Sequence, residues 1–111
     1  MDSRTKKVYL GKARHNLKNP VNAILGYSEM LIEDCEDNGL TSLIKDLEKL
    51  YFAGKDILTA IENNFSDQSL NLGDKNISEI GKQTELDIRT PLNTIIGYSE
   101  LIIEDLSLIH I

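Results

Sequence analysis

His15-Asn16-Leu17-Lys18-Asn19-Pro20-Val21-Asn22-Ala23-Ile24-Leu25-Gly26-Tyr27-Ser28-Glu29 occurs twice in this chain. Its second copy is Leu86-Asp87-Ile88-Arg89-Thr90-Pro91-Leu92-Asn93-Thr94-Ile95-Ile96-Gly97-Tyr98-Ser99-Glu100, displaced by 71 positions (Pro20 to Pro91). Between Leu17–Asp34 and Ile88–Asp105, ten of eighteen paired positions are identical. A repeat this close marks a duplicated structural unit. The first copy holds a histidine where the second has Leu86.

The period of the apolar residues makes each copy a helix. Leu10, Leu17, Ile24 and Leu31 recur every seven residues, with Ala13 and Val21 filling gaps, and Ile88, Ile95 and Ile102 repeat the stripe. A strict seven-residue repeat points to left-handed bundle or coiled-coil packing. The spacing predicts a first helix over 1–36 with Pro20 inside it. Proline removes a backbone donor and crowds the carbonyl four residues back, that of Asn16, so a kink is expected there. A mid-helix proline costs on the order of 3 kcal/mol. The only two prolines of the chain stand at the same place in both copies, which argues for a retained device.

Asp37-Asn38-Gly39 reads as a turn, with Gly39 as a left-handed stop and Thr41 or Ser42 as the next cap. A second helix follows from Ser42 to about Phe65. Leu43, Leu47, Leu50, Gly54, Ile57 and Ile61 alternate spacings of four and three, a bundle seam in which Gly54 permits a close approach. The polar stretch after Asn63 reads as a linker, and Asn76 with Glu79 fits a capping box for a third helix. The organisation is therefore a helical hairpin over 1–66, a linker over 67–76, and the first helix of a second, truncated repeat over 77–111. Leu106-Ser107-Leu108-Ile109-His110-Ile111 does not match the first copy, which continues Cys35-Glu36-Asp37-Asn38-Gly39, so the chain is expected to be a fragment whose last residues are foreign sequence, a natural, shortened C-terminus being the alternative. The fold class is all-α: an antiparallel hairpin plus a third long helix, part of a four-helix, pseudo-dimeric bundle.

Composition narrows the partners. At 111 residues the chain is long enough for one small domain, which buries a modest core and gains from self-association. A formal charge of −6 without a basic cluster suits neither nucleic acid nor an anionic membrane surface. Cys35 is the only cysteine, so no internal disulfide is possible, and it reads as a structural thiol. No charged-then-apolar leader opens the chain, and no apolar run reaches the roughly 18 residues of a membrane span. A cytoplasmic location is expected. Two histidines and one cysteine offer no metal spacing.

The repeated box resembles the phosphoacceptor box of sensor histidine kinases. That pattern runs histidine, acidic, apolar, basic, threonine or asparagine, proline, leucine, then Asn-Ala-Ile-Ile-Gly-Tyr-Ser-Glu-Leu-Leu. The run Asp46 to Leu58 looks like the second helix of the same domain, so the resemblance covers most of the chain. It implies dimerization through a four-helix bundle and a phosphoprotein intermediate in a two-component phosphorelay. His15 would take phosphate from ATP through a separate ATP-binding catalytic domain and pass it to a receiver aspartate of a response regulator. No glycine-rich nucleotide-binding stretch is present, so this chain is expected to hold no cofactor and to be at most the phosphoacceptor part of a kinase.

With Leu10 and Leu17 at position a, His15 falls at f and faces solvent. Imidazole near neutral pH keeps one nitrogen lone pair free for attack, and an exposed place lets a partner domain present its terminal phosphate in line. In the family an acidic residue after the histidine holds one ring nitrogen. Here that residue is Asn16, which can accept a hydrogen bond but carries no charge, so phosphorylation is expected to be weakened. Asn19 has two readings. In the family a threonine or asparagine there orients water for receiver dephosphorylation; otherwise it is a polar residue tolerated before Pro20. Lys18 and Arg89 match the basic position and read as solvated charges. A degenerate, non-catalytic docking or regulatory bundle is the competing reading, motivated by Asn16 and Leu86.

Overall fold

The computed structural model describes residues 2–65 and 76–109, and the linker expected at 67–76 falls outside them except for Asn76. Three helices make up the described chain: α1 (Ser3–Asp37), α2 (Thr41–Asn64) and α3 (Ile77–Ile109). The assignment as helix is unbroken through Pro20 and Pro91. Asp2 caps α1, accepting from the Thr5 N–H at 2.7 Å, and that bond holds its carboxyl below the usual range. Asn76 caps α3 through the Glu79 N–H at 2.8 Å, with Glu79 reaching back to the Asn76 amide at 3.5 Å.

The α1–α2 turn is a Schellman motif. Gly39 lies at φ +68, its N–H donates to Glu36 O at 3.3 Å, and Leu40 N–H donates to Cys35 O at 3.0 Å. Leu40 packs beside Cys35, the apolar contact that accompanies this motif. That closure corrects the expected cap. Leu40, not Thr41 or Ser42, occupies the N-cap of α2, and no side chain caps that end. Leu40 falls there because the Schellman closure through Gly39 uses it as the residue that packs back on the end of α1.

α2 is the central element. Both α1 and α3 pack along it, and the direct contact between α1 and α3 is slight. Ile61 and Phe65 near the end of α2 join Leu10 of α1 and Ile80 of α3 in one cluster, while Leu43 and Leu47 near its start join Cys35 and Ile102 in another. Both flanking helices therefore run antiparallel to α2 and parallel to each other. Gly54 of α2 lies so close to α1 that a Cβ there would stand 3.0 Å from Leu25 Cδ2, so the close approach read from the sequence is present.

The face that α1 turns to α2 differs from the one expected. Of the stripe Leu10, Leu17, Ile24 and Leu31, only Leu10 is buried; Leu17 and Leu31 are exposed and Ile24 is half-buried. The buried stripe is Val21, Leu25, Ser28 and Cys35, with Ile32 half-buried beside it. Ser28 enters this apolar seam by donating its hydroxyl to Ile24 O at 2.6 Å. In α3 the expected stripe does face the core: Ile95 and Ile102 are buried, one in each cluster, and Ile88 packs against the cluster of Ile95. Two helices of related sequence thus turn different faces to one partner.

Candidate functional site

His15 sits on the outer side of α1, exposed. It lines an open cleft of about 700 Å³ together with Gly11, Arg14, Lys18, Asn19, Asn22 and Glu62. Helical geometry explains the set: residues 11, 15, 18, 19 and 22 are one to three turns apart and share a face. Glu62 comes from α2.

Among the described residues the imidazole has one polar neighbour within hydrogen-bonding distance. Asn19 Nδ2 lies 3.5 Å from His15 Nε2, a long contact that requires the ring proton to be on Nδ1 if the amide donates. Asn16, exposed and next in sequence, does not pair with the ring. Successive helical side chains diverge by about 100°, so a residue at i+4 reaches the imidazole more readily than one at i+1.

Two cations flank the ring and both are tied down. Lys18 Nζ lies 3.3 Å from Glu62 Oε1 in a partly exposed ion pair. Lys18 is therefore not the free solvated charge expected from the sequence. Arg14 Nη1 donates to Phe65 O at 3.1 Å, capping the end of α2 from α1. A cation there satisfies an orphan carbonyl and complements the negative end of the helix dipole. Neither Arg14 nor Glu62 was legible in the sequence as a site residue, because their partners lie tens of residues away.

The second copy uses the equivalent surface differently. Leu86 is exposed. Asp87, at the place of Asn16, accepts from Asn64 Nδ2 at 3.0 Å and from Gln83 Nε2 at 2.9 Å. Asn64 also donates to Thr84 Oγ1 at 3.2 Å, and buried Thr84 donates to Ile80 O. Arg89 pairs with Glu85 within α3 at 3.4 Å and, unlike Lys18, does not reach α2. Thr90 is exposed.

Cys35 is buried among Leu43, Leu47 and Ile102. Burial pushes its thiol up from the ordinary value, and the neighbouring Asp34 carboxylate adds to the effect. Among the described residues no cluster of histidine, cysteine or carboxylate side chains could hold a metal ion, and no helix is long and apolar enough to cross a membrane. Comparison with protein-family models, with curated proteins and with solved structures found no match.

Proposed function

We propose that this chain is the dimerization and phosphoacceptor module of a two-component histidine kinase, with His15 as the phosphoacceptor. The observation that carries the reading is an exposed imidazole, flanked by Arg14 and Lys18, in an open cleft on the outer face of a helix whose box resembles the kinase pattern. Phosphoryl transfer asks the protein mainly for position and charge. The open cleft leaves room for an ATP-bearing domain to approach. In the reaction, the Nε2 lone pair forms the N–P bond as the bond from the γ-phosphorus to the bridging oxygen breaks, and ADP leaves with that electron pair. Lys18 would be drawn from Glu62 towards the transferred group. A response-regulator receiver domain would then take the phosphoryl group onto an aspartate. The Asn19 amide sits beside the attacking nitrogen and must turn away before transfer.

The test is incubation of the chain with γ-labelled ATP and ATP-binding domains from sensor histidine kinases. An acid-labile, base-stable label, absent from His15→Ala, is the expected result. A label retained in His15→Ala, or none with any of the domains, refutes the reading. A non-catalytic docking or regulatory module is the second reading. The observation favouring it is that no carboxylate holds the His15 ring, the family's acidic position being Asn16 and unpaired.

A further inference from the structure

We propose that Glu62 of α2 is a charge gate on the His15 cleft. Glu62 and a phosphoryl group on His15 compete for Lys18, so phosphorylation of the first copy and the hold of α2's last turn on α1 weaken each other. The inference deepens the phosphoacceptor reading and rests on it.

The gate is built from two helices. Lys18 follows His15 by three positions on α1, so the two side chains are neighbours on one helix face. Glu62 reaches the same cleft from the last turn of α2, and its Oε1 lies 3.3 Å from Lys18 Nζ. Glu62 therefore sets a negative charge where a phosphoryl group would arrive, and it holds a cation that would receive that group. Both partners are open to water, the Lys18 side chain 33% and the Glu62 side chain 53% exposed. Exposed ion pairs are weak, so this one is exchangeable. A phosphoryl group carries about −1.5 to −2 charge near pH 7 and three acceptor oxygens, against the single charge of Glu62. It takes Lys18 on that count, and the carboxylate is left facing a like charge. Arg14 is not an equal substitute, because moving it would orphan the Phe65 carbonyl to which it donates at 3.1 Å. The end of α2 loosens without separating, since Ile61 and Phe65 stay packed with Leu10 and Ile80. Linkage makes the effect reciprocal: the factor by which the phosphoryl group weakens the Lys18–Glu62 pair is the factor by which Glu62 weakens the phosphorylated state.

The second copy supports the assignment independently. Arg89 stands in the place of Lys18 and pairs with Glu85 inside α3. To that copy α2 sends the neutral amide of Asn64, which donates to Thr84 and Asp87. Within one turn, α2 thus presents a carboxylate to the copy that has the histidine and an uncharged donor to the copy that has Leu86.

The test treats the full chain with phosphoramidate, a small donor that needs no kinase domain. The Nε2 lone pair forms the N–P bond as the donor's own P–N bond breaks; ammonia leaves with that electron pair, and the Nδ1 proton of the ring passes to water. The unsubstituted chain, Glu62→Gln, Lys18→Gln and the double variant are compared by intact mass, counting the label that is absent from His15→Ala. Glu62→Gln should label about threefold to fivefold faster, the upper range for an exposed ion pair. Adding Lys18→Gln should remove most of that gain. Amide exchange at residues 62–65 should rise by a similar factor when the unsubstituted chain is phosphorylated, and should stay flat when Glu62→Gln is. A merely structural Glu62 would shift the circular dichroism melt and leave labelling alone. Unchanged or slower labelling of Glu62→Gln, a gain that survives Lys18→Gln in full, or exchange at 62–65 that ignores phosphorylation overturns the inference. So does phosphoramidate that leaves His15 unlabelled. Failure of the phosphoacceptor reading looks different: phosphoramidate gives the expected pattern, while ATP with the kinase domains leaves His15 without label.

Discussion

Truncating Leu25 and Ile96 to alanine, one variant at a time, asks whether the two repeat copies occupy different environments. The residues are equivalent in the repeat and similar in volume. Leu25 is 7% exposed and stands against Gly54, where an added Cβ would lie 3.0 Å from Leu25 Cδ2. Glycine has no side chain that can relax into the space left by Leu25→Ala. The loss should fall in the middle to upper part of the core leucine-to-alanine range, about 3–4 kcal/mol. Ile96 is 49% exposed, so roughly half of the ~1.5–3 kcal/mol for complete burial is at stake, about 1 kcal/mol. The difference between the variants should be about 2–3 kcal/mol. With a urea dependence of about 1.5 kcal/mol per molar, that separates their midpoints by about 1.3–2 M. The assay is urea denaturation followed by circular dichroism at two protein concentrations. Equal midpoints for the two variants, or a larger loss in Ile96→Ala, would refute the different roles assigned to the twin helices. A midpoint that rises with concentration only when Ile96 is intact would show that another copy covers Ile96.

Three further expectations follow from single sites. Asn16→Asp should speed labelling of His15 by about tenfold, the effect of about one pKa unit of charge stabilisation, because it supplies a carboxylate at the position where the resemblance has an acidic residue; single-turnover rates unchanged by the substitution would count against the assignment of that position. The raised Cys35 pKa means that the unfolded chain releases its thiol proton first as pH rises. Stability from this group is intact below the unfolded value of about 8.5 and is lost as pH climbs through and above it, with the slope abolished in Cys35→Ser; denaturant midpoints at pH 7, 8.5 and 9.5 check this. Gly39→Ala places a Cβ in left-handed backbone at φ +68 and should cost about 1–2 kcal/mol, whereas Gly26→Ala, open around its added Cβ, should be neutral or stabilising in thermal melts.

Much of the fold was legible because it rests on local chemistry. Gly39 marks the turn, Asn76 and Glu79 mark the start of α3, and the four–three spacing of α2 reports its buried face directly. The facing of α1 was not legible. It carries two stripes, 10/17/24/31 and 21/25/28/35, the second apolar except for Ser28, and periodicity cannot choose between them when both suit a bundle. The choice is made by how many neighbours surround the helix and on which sides. The cap of α2 departs from the hydroxyl pattern for a related reason: the Schellman closure places Leu40 at the N-cap, one residue before Thr41. At the candidate site, the exposure of His15 and the proximity of Asn19 follow from helical spacing alone. Arg14 and Glu62 required the register of α1 against α2, which no local pattern encodes.

The divergence of the two boxes has a structural logic that is independent of phosphate chemistry. α2 ends beside both copies, and each copy binds that end with a different residue. α1 supplies Arg14 to the Phe65 carbonyl, and α3 supplies Asp87 and Thr84 to the Asn64 amide. The two roles do not interchange: Glu85, in the place of Arg14, has no proton to donate to a carbonyl, and Asn16, in the place of Asp87, has no charge to strengthen a bond from Asn64. The copy that retains the histidine therefore lacks the carboxylate, and the copy that retains the carboxylate commits it to α2. Substituting Asp87→Asn should loosen the α2–α3 junction while leaving the surroundings of His15 intact. Asn16→Asp adds its charge on an exposed turn where no α2 side chain claims it. That separation leaves the first copy's surface open to a partner while the second copy's surface holds the bundle together.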